Sequence, residues 1–71
     1  MKRVLFKCGF YEEVHYGDIR TSRSGKVVTV DNKFHTLVFE RLSGGIKEIW
    51  TSKMNDGHEE KIYPNASMEV L

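Results

Sequence analysis

The stretch Lys26-Val27-Val28-Thr29-Val30-Asp31-Asn32-Lys33-Phe34-His35-Thr36-Leu37-Val38-Phe39-Glu40-Arg41-Leu42-Ser43-Gly44-Gly45-Ile46-Lys47-Glu48-Ile49-Trp50 decides the fold. Its first run, residues 26–31, is β-branched almost throughout and ends where Asn32 tolerates the backbone of a tight turn. The chain reverses into 34–42. Gly44-Gly45, free of Cβ, then suits a two-residue hairpin turn into 46–54. Further along, Asp56-Gly57 reverses it once more into 59–63. The reading is a four-stranded antiparallel meander with Val28, Val30, Leu37, Phe39, Trp50 and Tyr63 on one face, because residues two apart share a face of a strand.

The turns also predict cross-strand neighbours. Centring the reversals on Asn32-Lys33, Gly44-Gly45 and Asp56-Gly57 sets Val28 opposite Leu37, Thr29 opposite Thr36 and Val30 opposite His35. The same centring sets Arg41 opposite Glu48, Phe39 opposite Trp50, Lys53 opposite Glu60 and Trp50 opposite Tyr63. Trp50 is thereby expected at the centre of the sheet.

Working outward, the N-terminal segment alternates, with Val4, Phe6, Cys8 and Phe10 on one face and Arg3, Leu5, Lys7 and Gly9 on the other. An apolar sheet face needs a cover, and this strand is the other long apolar stretch. The expected fold is therefore all-β, a small barrel or a strongly bent antiparallel sheet made of an N-terminal strand plus the meander. Between them, Tyr11 to Gly17 reads either as one helical turn capped by Gly17 or as a loop. Residues 68–71 read as a single turn or a short last strand.

Length and composition bound the function. Seventy-one residues make one domain, 1–71, and a chain of this size hides roughly 60% of its unfolded surface. Eleven Lys and Arg against ten Asp and Glu leave a net charge of +1, so no strong field draws the whole chain to nucleic acid or to an anionic membrane. The apolar stretch after the basic start stops at Lys7, short of a signal peptide. No run is long enough to span a bilayer, and the single Cys8 has no internal disulfide partner. The expectation is a cytoplasmic protein with no membrane partner.

Gly17-Asp18-Ile19, then a polar loop, then Gly25-Lys26-Val27-Val28, a strand, a tight turn and another strand together resemble the opening of SH3-like small barrels, including KOW-type modules. The resemblance covers about half the chain and implies a fold. Proteins of that shape serve as nucleic-acid binders, adaptors and inhibitors, so it does not choose a role. The aromatic groove of signalling SH3 domains is not recognisable in this chain.

Chemistry for catalysis is sparse. Cys8 shares an apolar face with Phe6, where a thiol packs as a small hydrophobe. His15, His35 and His58 form no close pair with metal-ligand spacing, and Glu12 and Glu13, being adjacent, diverge. Gly44-Gly45 precedes a strand and lacks the helix dipole that cradles phosphate. No enzyme activity, cofactor or metal is expected.

Two binding surfaces stand out. Arg20-Thr21-Ser22-Arg23-Ser24-Gly25-Lys26 holds three cations and three hydroxyls with no acid, and the first 33 residues carry seven Lys and Arg against four Asp and Glu. Such a loop grips phosphates, so Arg20, Arg23 and Lys26, with Lys2 and Arg3, are candidates for nucleic-acid contact. Phe10 to Tyr16 offers Tyr11 and Tyr16 as large anchors for a protein partner. The favoured expectation is a non-enzymatic regulator or inhibitor that occupies a protein surface, and the alternative is a nucleic-acid-binding β-barrel using the basic loop.

Overall fold

The computed structural model describes residues 3–71, so Met1 and the candidate Lys2 lie outside the described residues. Its elements are β1 (Arg3–Cys8), β2 (Tyr11–Tyr16), β3 (Asp18–Thr21), β4 (Val27–Asp31), β5 (His35–Leu42), β6 (Gly45–Ser52), β7 (His58–Pro64) and β8 (Ser67–Val70). The chain is all-β. Its hydrogen-bond ladders form two antiparallel sheets, one of order β2-β1-β8 and one of order β3-β4-β5-β6-β7. The described residues include no helix long and apolar enough to cross a membrane.

The predicted meander is present as β4 to β7, and the N-terminal strand covers its apolar face from the middle of the three-stranded sheet. Val4, Phe6, Ile19, Val28, Val30, Leu37, Phe39, Ile46 and Met68 make the buried core. At its centre the ring of Phe6 stacks on Phe39 at 5.7 Å between centroids and meets Tyr63 edge-on at 4.8 Å. The chain passes between the sheets twice, at Gly17 and at Asn65-Ala66. A Cβ on Gly17 would lie 2.8 Å from the carbonyl oxygen of Asp31, so only glycine allows that approach. Asn65 takes a positive φ of 59°, which asparagine tolerates, and its N–H donates to Gly44.

Each predicted register is corrected by an even number of residues. Val28 stands opposite Phe39 and Val30 opposite Leu37, Thr29 faces Val38, and Arg41 faces Ile46. Phe39 is opposite Glu48, while Trp50 lies between Leu37 and Glu59 rather than between Phe39 and Tyr63. The causes are local. Asn32 opens its turn instead of centring it, because its Oδ1 accepts the N–H groups of Phe34 and His35. Gly45 belongs to a strand, since a Cβ there would sit 2.2 Å from the Tyr63 carbonyl oxygen; the turn is Ser43-Gly44. The β6–β7 connection is longer than two residues, closed by Ser52 N–H to Gly57 and shaped by Asp56 at φ 55°. Even slips leave every side chain on its predicted face. The predicted ion pairs change partners instead. Lys53 bonds Asp31, Lys47 lies 3.1 Å from Glu60, and Arg41 donates to the Met68 carbonyl at 3.2 Å.

Three further expectations change. Tyr11 to Tyr16 is neither helix nor loop but strand β2, paired along its length with β1. Phe10 leaves the apolar face of β1, because Gly9 at φ 62° turns the chain and Gly9-Phe10 form a two-residue hairpin with Phe10 fully exposed. A short strand, β3, falls within what reads as a polar loop. The tail is a last strand, β8, paired with β1.

Candidate functional site

The β1–β2 hairpin gathers the largest exposed apolar side chains of the three-stranded sheet. Phe10 tops the turn, and Tyr11, Val14 and Tyr16 are all exposed along β2. Alternation splits the strand. Tyr11, Glu13 and His15 share the face of Phe6 and Val4, toward the interior, whereas Glu12, Val14 and Tyr16 share the outer face with Leu5.

The inward residues form a hydrogen-bonded group. The Tyr11 hydroxyl donates to Glu13 Oε1, and His15 Nε2 lies 2.8 Å from Glu13 Oε2 while its ring packs 5.5 Å from that of Phe39. Burial works to raise the Glu13 pKa, but the bonds from Tyr11 and His15 and the charge of Lys61 outweigh it and hold the carboxyl below its usual range. Its bond to Glu13 pushes the Tyr11 hydroxyl up. Across the interior, Glu48 has one carboxylate oxygen buried without a hydrogen-bond partner, and burial with the nearby Glu48 charge pushes Tyr63 up to about 12. Two surface depressions, one along Arg41–Ile46 with Asn65–Met68 and one beside Leu5 and Lys7, are lined by other residues than this cluster. The described residues include no group of three or more His, Cys, Asp or Glu able to hold a metal ion. What the cluster does is support β2: three polar side chains that would otherwise weaken an inward strand face satisfy one another while the strand pairs along its length with β1.

Sheet edges differ in their protection. The edge strands β3 and β8 are four residues each. β7 is longer but carries Glu59, Glu60 and Lys61 and ends in Pro64, devices that discourage pairing with another chain. β2 is six residues long, without lysine, arginine or proline, and its outer face offers Val14 between Glu12 and Tyr16. It is the least guarded edge.

The predicted site residues are not brought to one place. Tyr11 and Tyr16 stand on opposite faces of β2, near its two ends and about 17 Å apart along the strand. Arg20, Arg23 and Lys26 are exposed on the β3–β4 hairpin, with Arg20 Nη2 3.7 Å from Asp18. Two of the hydroxyls expected to grip phosphate hold that turn instead. Ser22 Oγ accepts the Val27 N–H at 3.1 Å and Ser24 Oγ that of Lys26 at 3.3 Å. Cys8 packs against the core, its Sγ 3.7 Å from the Pro64 carbonyl oxygen. Sequence reasoning weighed Glu13 and His15 for catalysis and metal alone and did not single out Val14; the signal for the cluster was the spacing Tyr11-x-Glu13-x-His15, which on a strand puts three hydrogen-bonding groups on one face.

Fold and surface together define a small antiparallel β domain of two packed sheets, one of whose edges, β2, carries no lysine, arginine or proline. Compared with protein-family models, with curated proteins and with solved structures, the chain matches none.

Proposed function

We propose that this chain is a non-enzymatic binding protein that regulates or inhibits a protein partner by occupying its surface through the edge of β2. One observation carries the reading: β2 is an open edge without lysine, arginine or proline, flanked by exposed Phe10, Tyr11, Val14 and Tyr16. Such an edge recruits an extended segment through backbone hydrogen bonds, while the alternating side chains supply selectivity. Aromatic anchors beside it concentrate interface energy. A photo-cross-linking residue placed at Val14 tests this against the same residue at Glu40, on the exposed face of the other sheet. Capture of one protein from position 14 alone supports the reading. The competing role, nucleic-acid binding, draws on the exposed Arg23 and Lys26. Retention on nucleic acid that falls steeply with salt and is lost in Arg23→Ala with Lys26→Ala would replace the β2 reading with that one.

A further inference from the structure

We propose that β2 pairs with β2 of a second copy of this chain, in a symmetric antiparallel register centred on Val14. The inference rests on β2 being a binding edge and names what occupies it. Cys8 and Tyr11 flank a two-residue turn and therefore form a hydrogen-bonded pair, and such pairs alternate along a hairpin. Tyr11, Glu13 and His15 accordingly aim their backbone groups at β1, and Glu12, Val14 and Tyr16 aim theirs at the open edge.

A two-fold axis perpendicular to the sheet keeps inner face beside inner face, so even-numbered residues meet even and odd meet odd. That leaves few registers. Centring on Glu13 sets two inward carboxylates side by side, which is destabilising. Centring on His15 opposes two imidazoles and carries Tyr11, Glu12 and Glu13 past the end of the facing strand. Centring on Val14 sets Val14 against Val14 of the second copy, Glu12 against its Tyr16 and Glu13 against its His15, the last two pairs each occurring twice. Every outward backbone group from Glu12 to Tyr16 then finds a partner, and carboxylate faces imidazole on the inner side. A net charge of +1 leaves little long-range repulsion between copies. Because self-pairing covers the edge that a different protein would use, the two are mutually exclusive, and the concentration of the chain itself governs how much edge is free.

Sedimentation equilibrium of the full chain tests this. The expected mass rises with concentration from 8.3 kDa toward twice that value, and Val14→Lys and Val14→Pro abolish the rise. A second measurement does not depend on those variants folding: in a Cys8→Ala chain, Val14→Cys forms a disulfide-linked dimer under mild oxidation, since the two residues 14 lie side by side. Glu12→Cys does not, because its two copies are four positions apart along the strand. A chain monomeric at every concentration, or equal cross-linking from both cysteines, overturns the proposal. If the chain is monomeric yet a cross-linker at position 14 captures another protein, self-pairing fails while the edge reading stands.

Discussion

Replacing Phe39 by alanine removes the side chain on which both sheets meet. Phe39 is fully buried on β5, the middle strand of five, with the Phe6 ring of β1 stacked on it at 5.7 Å and the His15 ring of β2 at 5.5 Å, both from the opposite sheet. Truncating a buried phenylalanine costs about 3–5 kcal/mol, and the ring pair is worth about 0.5–1.5 kcal/mol beyond area alone. A chain of this length is stable by about 4–11 kcal/mol. The loss therefore consumes between a third and all of the stability, and at about 4–8 °C per kcal/mol the melting temperature falls by roughly 12 °C or more. Trp50, half-buried at the margin of the core, should cost about half as much when truncated. Urea unfolding followed by far-ultraviolet circular dichroism measures both. A loss below about 1.5 kcal/mol for Phe39→Ala, or a larger loss for Trp50→Ala than for Phe39→Ala, would refute the placement of the core.

Adjacent glycines should behave oppositely: Gly45→Ala drives a Cβ to 2.2 Å from the Tyr63 carbonyl oxygen and is expected to cost about 1–3 kcal/mol in thermal melts, whereas Gly44→Ala meets open space and should be neutral. Tyr63, pushed up to about 12, favours the folded state fully below the ordinary tyrosine value near 10, and that contribution is lost as pH rises toward 12; Tyr63→Phe should remove the highest-pH step in the tyrosinate absorbance titration. Glu13, held below its usual 4.5, contributes stability above that value that disappears as pH falls through its lowered one, so Glu13→Gln should melt with a weaker acid dependence than the parent chain. Against an identified protein partner, Val14→Lys or Tyr16→Ala should weaken binding more than Arg20→Ala with Arg23→Ala, as read by titration at two salt concentrations.

Faces were legible in the sequence where neighbours were not. Val28, Val30, Leu37 and Phe39 announce a shared face by period-two spacing alone, and that information survives an even slip. Neighbours depend on where a turn begins, and this is set by contacts invisible in the local pattern: the Asn32 side chain capping its own turn, and a Tyr63 carbonyl 18 residues away that demands glycine at position 45. β2 escaped for a different reason. Its inner face is Tyr11, Glu13 and His15, polar by composition, and qualifies as an interior face only because those groups bond one another beneath Phe39. β3 places a single buried residue, Ile19, amid Asp18, Arg20 and Thr21, too little for alternation to register. The basic loop was visible as charge, but its serines were already engaged in shaping the turn.

The pairing of β1 with β8 has a mechanical consequence. Val4 faces Val70, and the Leu71 N–H donates to the Arg3 carbonyl at 2.8 Å, so residues 3 and 71 sit side by side at one end of an antiparallel ladder. Tension applied through those two residues pulls the strands apart crosswise and loads the bonds of that ladder one after another, as a zip opens, rather than shearing them together. The chain should therefore yield at low force when held there, with the three-stranded sheet peeling before the five-stranded one gives way.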